Sequence, residues 1–103
     1  MDETFVQERI AQLRTKKGVS ARDMSLTLGQ SESYINTIEN KKSLPSMPVF
    51  LYICEYFGIT AKEFFDEGND DPVKLKEIIE DLKRLDDKAL THMAGLAKEL
   101  ANK

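Results

Sequence analysis

Cysteine occurs once in this chain of 103 residues, proline three times and glycine five times. One cysteine, Cys54, makes no intramolecular disulfide framework, so the fold is expected to hold without one and to suit a reducing cytoplasm. The scarcity of proline and glycine, with few β-branched runs, leans the composition toward helix. No stretch of about 18 successive apolar residues occurs, so no membrane span is expected. The opening MDETFVQERI is acidic and lacks the apolar run of a secretory signal. His92 stands alone, with no second histidine or cysteine near it to form a metal site. Glycine-rich phosphate loops, HExxH and GxSxG are all missing, so neither an enzyme nor a cofactor is expected. The carboxylates Glu80, Asp81, Asp86 and Asp87 read as helix caps and solvated charge, not as a catalytic pair.

The composition that is present, 41% apolar and 32% charged, describes a soluble globular chain. Its length suits one compact domain with an appendage. The net charge of −3 argues mildly against nucleic acid, because phosphate binding draws on Lys and Arg. What matters more is whether the basic residues gather on one face.

Helical periodicity runs through the whole chain. A first helix is expected from about Thr4 to Lys17, with Thr4 and Gln7 as a capping box and Gly18 as its stop. Ser20 and Asp23 open a short second helix, with Met24 and Leu28 inward and Gly29 at its end. Ser31 is expected to cap a third helix whose apolar face is Tyr34, Ile35 and Ile38. Two helices joined by so short a turn beginning with glycine have the spacing of a helix-turn-helix. MPVFLYICEYF, residues 47–57, is a fourth helix with Phe50, Leu51, Ile53, Cys54 and Phe57 on a wide apolar stripe. TAKEFF is a fifth, opened by a Thr60–Glu63 capping box. The acidic, turn-rich DEGNDD at 66–71 reads as a boundary. Asp71 and Pro72 then open a sixth helix bearing Leu75, Ile78, Ile79 and Leu82. An aspartate in LDDKAL starts a seventh, with Leu90, Met93, Ala97 and Leu100 on one side. A lone hairpin of this size cannot bury its own stripe well, so it is expected to pack on the first domain or on a second copy of itself.

Seven basic residues, Arg9, Arg14, Lys16, Lys17, Arg22, Lys41 and Lys42, bracket the helix-turn-helix. The positive charge is therefore local although the sum is acidic. The third helix leaves polar side chains on its outer face: Glu32, Ser33, Asn36, Thr37 and Asn40.

Residues 9–65 resemble the phage repressor and Cro family, the XRE-type helix-turn-helix. The resemblance rests on RIAQLRTKKGVS, on LG before the turn, on S.SYI..IE..K, on the proline after it, and on LYICEYFGIT.KEFF. It implies an all-α architecture: a five-helix repressor-like domain over residues 1–66, followed by a two-helix extension over 67–103. It also implies that the third helix, about 31–39, enters the major groove of double-stranded DNA. The base-reading positions would then be Glu32, Ser33, Asn36 and Thr37. Ser20, Arg22, Asn40, Lys41, Lys42 and Lys17 would contact phosphate, and Arg14 with Glu39 would form a structural pair between the first and third helices.

This chain departs from the family pattern at several places. Ala21 stands where many relatives carry glutamine, and Ser25 where a small alanine is usual. Glu32 replaces a common Arg or Gln; a carboxylate can accept from cytosine N4, which turns the expectation there away from guanine. Leu26, Tyr52 and Tyr56 are apolar or aromatic where relatives are commonly charged, and are expected to be covered. The expected function is a cytoplasmic, homodimeric transcriptional regulator reading an inverted repeat, with repression as the default and activation left open. The alternative is a repressor-like module, such as an antitoxin or adaptor, whose partner is a protein.

Overall fold

The computed structural model describes residues 1–103 and is all-helical. Seven helices follow one another: α1 Phe5–Lys17, α2 Ala21–Thr27, α3 Tyr34–Glu39, α4 Met47–Phe57, α5 Ala61–Phe64, α6 Pro72–Leu82 and α7 Asp87–Ala101. None is long and apolar enough to cross a membrane. The chain divides into two compact units, Met1–Val73 and Lys74–Lys103.

The first unit is built around one apolar cluster. Ile10 and Leu13 of α1, Met24 of α2, Ile35 and Ile38 of α3, Phe50, Ile53, Cys54 and Phe57 of α4, then Ile59 and Phe64, are all buried. Each such side chain contributes about 1.5–3 kcal/mol. Short helices of six and seven residues are marginal alone; α2 and α3 exist because Met24, Ile35 and Ile38 are driven into this core. Phe5, Phe50, Phe64 and Phe65 add a chain of ring contacts, with Phe50 and Phe64 edge to face at 5.0 Å.

Helix ends explain most of the connections. Ser46 and Thr60 cap α4 and α5, and the Thr60–Glu63 box is complete. Four helices end in a similar way, with a residue one or two positions past the end in the left-handed region and two backbone N–H groups folded back onto the last turn. Glycine occupies that residue after α1, α2 and α4, where the missing Cβ removes the steric penalty. After α3 it is Lys41, with φ 63°.

Several expectations give way. The Thr4–Gln7 box does not form: Thr4 is already in a helical conformation and makes no cap bond. The Asp2 carboxylate instead accepts from the Thr4 N–H and hydroxyl, and Gln7 is buried, donating to the Ser43 carbonyl. Ser31 does not cap α3 with its side chain. It gives its carbonyl to Tyr34 N–H, and the helix starts at Tyr34 after a turn over 32–33. Leu51, Leu26 and Tyr52 are each about half exposed rather than covered; only Tyr56 packs partly on the core. Residues 67–73 lie with the first compact unit, which ends at Val73. Arg9 is the cause. Buried to 4% exposure, its guanidinium donates to the carbonyls of Phe64, Asp66 and Asn69 and so holds the acidic loop within the first unit.

The second unit holds most of α6 and all of α7. Asp86 caps α7 through Ala89 N–H. No side chain of α7 is buried, and Leu75, Ile78, Ile79, Leu90, Met93, Leu96 and Leu100 remain exposed.

Candidate nucleic-acid interface

The turn between α2 and α3 is closed at both ends by named bonds. The N–H of Gly29 donates to Leu26 and that of Gln30 to Ser25, which ends α2. The opposite end depends on Ser25. This side chain is fully buried; its hydroxyl donates to the Ala21 carbonyl at 2.7 Å and accepts from Ile35 N–H at 2.9 Å. Ile35 is among the first residues of α3, whose leading N–H groups have no partner within the helix. A serine ten residues earlier therefore caps α3 from inside the neighbouring helix. No local signal in the sequence marks this role, since the bond is tertiary.

Arg14 supplies the second clamp. Its Nε and Nη2 donate to both carboxylate oxygens of Glu39, at 2.6 and 2.8 Å, while Nη1 donates to the Val19 carbonyl. One guanidinium thus joins the end of α1, the approach to α2 and the end of α3. The bond to Glu39 raises the Arg14 pKa above its ordinary value, against the opposing effect of burial. A forked pair of this kind fixes orientation as well as energy.

Beyond α3, Gln7 pins the loop through Ser43. Lys41 sits in the left-handed position, with Lys41 N–H donating to Ile38 and Lys42 N–H to Thr37. The two lysines are thereby held against the end of α3. Asn40, Lys41 and Lys42 are all exposed.

Glu32, Ser33 and Asn36 are exposed on the outer side of the Ile35–Ile38 seam. Glu32 and Ser33 precede the helix proper. Thr37 is half-buried and its hydroxyl donates to the Ser33 carbonyl at 2.9 Å. Its proton is thereby engaged, so the hydroxyl can offer a further partner only its lone pairs. Ser20 spends its hydroxyl as the cap of α2, accepting from Asp23 N–H.

The basic residues are less free than their number implies. Arg22 lies 3.3 Å from Glu32, Lys41 3.1 Å from Glu8, and Lys16 3.8 Å from Asp71. Lys17 sits over the Tyr56 ring at 5.0 Å. Over residues 1–73 there are eight Lys and Arg against twelve Asp and Glu. The face carries cations, but each of these four has an anion or a ring beside it. No group of His, Cys, Asp and Glu capable of holding a metal occurs.

Residues 7–69 match the family described as a helix-turn-helix domain. The chain belongs to the XRE-type helix-turn-helix family. Its relatives include the HTH-type transcriptional regulator RamB of Mycobacterium tuberculosis, 35% identical over 69 residues, which are 67% of this chain and 15% of RamB. The HTH-type transcriptional regulator PrpR of the same organism is 30% identical over 66 residues, 64% of this chain and 14% of PrpR. The HTH-type transcriptional regulator PuuR of Escherichia coli is 30% identical over 60 residues, 58% of this chain and 32% of PuuR. The chain therefore spans under a third of each of these relatives. No solved structure matches.

Proposed function

We propose that this chain is a sequence-specific double-stranded DNA-binding transcriptional regulator. The observation that carries the reading is the α2–turn–α3 unit. Two short helices are locked to one another by Ser25 and to α1 by Arg14, so that Glu32, Ser33 and Asn36 stand together on an outward face. A rigid support of this kind is what base-edge recognition needs, because hydrogen-bond readout tolerates little positional error. Arg22, Lys41, Lys42, Lys17, Ser20 and Asn40 are the phosphate-positioning candidates. Thr37 offers the lone pairs of its hydroxyl.

A single module of this size reads only a few base pairs, so the operator is an inverted repeat read by a homodimer. Its half-sites would be about one helical turn, ~34 Å, apart. The apolar stripes of α6 and α7, exposed in the chain, supply the contact between two copies. Repression by occupying a promoter is the default consequence.

The test is selection from a random duplex DNA pool at about 150 mM salt. An enriched inverted repeat is the expected result. Replacing Lys41 and Lys42 by Ala is then expected to weaken binding to all sequences and to flatten the salt slope by roughly one per lost phosphate contact. The second reading, a protein-binding module on the same fold, is favoured by the acid excess of residues 1–73 and the pairing of their cations. Failure of a folded, purified chain to enrich any duplex would decide for it.

A further inference from the structure

We infer that Glu32 is a specificity-determining counter-charge: it holds Arg22 while no cognate base is present and releases it to phosphate only when a base-edge donor takes its place. The inference rests on the DNA-binding reading above. Its basis is the ion pair between Arg22 Nε and Glu32 Oε2, 3.3 Å apart, which spans the turn from the first helical turn of α2 to the residues leading into α3.

Both side chains are about two-thirds exposed. A pair so open to water is held weakly, so separating it in solution costs little. On DNA the balance changes. A phosphate competes for Arg22, and each charge-assisted bond it offers is as good as the one lost. Glu32 is then left facing a polyanion across a groove from which water is partly displaced, and a carboxylate there needs a donor. Cytosine presents N4–H₂ in the major groove and adenine N6–H₂; thymine O4 and guanine O6 and N7 only accept. Over a donor base, both members of the broken pair find partners. Over an acceptor base, Glu32 has none, and Arg22 gains nothing by leaving it. The pair therefore adds little to affinity for the right sequence and subtracts from affinity for the wrong one. Neighbouring charges favour this arrangement: Lys41 is occupied by Glu8 and Arg14 by Glu39. Arg22 is thus the cation of this face whose partner is itself a candidate base reader.

The experiment is fluorescence anisotropy with the full chain on two duplexes, the best sequence from the random pool and a scrambled one. Wild type, Glu32→Gln, Arg22→Gln and the double variant are compared, each checked for folding by its thermal melt. E32Q is expected to tighten the scrambled duplex by about tenfold, the scale of one base-edge contact, and the selected duplex much less, so that discrimination collapses. In the R22Q background that gain should shrink, because no arginine is left to free and only the carboxylate's own repulsion is removed. Equal tightening of both duplexes by E32Q would overturn the inference, making Glu32 a mere repulsive charge; so would no change, or a gain undiminished by R22Q. The wild-type arm separates the two levels. Sequence-selective binding by wild type with an unresponsive E32Q defeats the counter-charge alone, whereas no binding by folded wild type defeats the DNA reading and this inference with it.

Discussion

Lys41→Gly should leave the protein more stable than Lys41→Ala does, while both weaken its hold on DNA. Lys41 follows Asn40, the C-cap of α3, and sits at φ 63°. An L-residue with a Cβ is disfavoured there by about 1–2 kcal/mol, and glycine is not. Glycine returns part of this by gaining freedom in the unfolded chain, about 0.5–1 kcal/mol. The exposed Lys41–Glu8 contact at 3.1 Å adds roughly 0–1 kcal/mol that either truncation would remove. Comparing K41G with K41A cancels that last contribution, since both lose the ammonium. K41G is expected to be more stable than K41A by about 0.5–1 kcal/mol. In a domain of this size that shifts the melting midpoint by roughly 2–8 °C. Both variants should lose the same increment of salt-dependent DNA affinity. Thermal and urea melts measure the first, and anisotropy over a salt series the second. A K41G no more stable than K41A would refute the strain argument. A K41A that binds DNA as well as wild type would refute the functional reason for tolerating a lysine where the other three helix ends of this kind have glycine.

Ser25→Ala should cost about 1–2 kcal/mol in urea denaturation, since Ile35 N–H loses its acceptor, and this exceeds the ~0.5 kcal/mol that alanine gains in helix propensity; an unchanged or raised midpoint would remove Ser25 as the cap of α3. Arg14→Met strands the Glu39 carboxylate, only 12% exposed, and should cost about 2 kcal/mol, below the cost at a fully buried pair. R14M with Glu39→Leu should recover part of it, and a double variant worse than R14M would count against the pair as the cause. Burial pushes the Cys54 thiol pKa up, so from about pH 8.5 the unfolded chain releases a proton that the folded chain keeps. Stability should therefore fall as pH rises through that range, and Cys54→Ala should show a shallower fall between pH about 7 and 10; identical slopes would place the alkaline loss elsewhere, with Tyr34 and Tyr56, whose pKa values burial also raises, next in line.

What could be read from the sequence was what is local. Helices α4 and α5 have their bounds and caps written in adjacent residues: Ser46 and Gly58 for one, Thr60 and Glu63 for the other. The apolar spacing of Ile35 and Ile38 located α3, and the glycines after α1, α2 and α4 marked their ends. Bonds across the fold stayed hidden. Nothing near Thr4 signals that Gln7 will leave the helix end for a carbonyl 36 positions away. Nothing near Ser31 signals that Ser25 has already taken its capping role. By sequence Arg9 is one more member of a basic ring, yet it is buried and donates to the carbonyls of Phe64, Asp66 and Asn69. A charge count cannot tell an arginine that pins a loop from one that meets a ligand.

That distinction bears on how an acid-rich unit can recognise a polyanion. With twelve acidic against eight basic residues over 1–73, long-range attraction to DNA is weak, and any affinity must come from contacts made close in, within a Debye length of about 8 Å. The acids are not scattered around the candidate face. Glu39 is consumed by Arg14, Glu8 stands by Lys41, and Glu32 by Arg22. Arg22 and Lys41 are therefore each held by an acid that a phosphate must displace. The same pairing that lowers affinity for any duplex reduces the number of wrong duplexes able to bind, because displacement succeeds only where the remaining contacts fit. On this view the acidic balance tunes how sharply the face discriminates and is compatible with DNA as its partner.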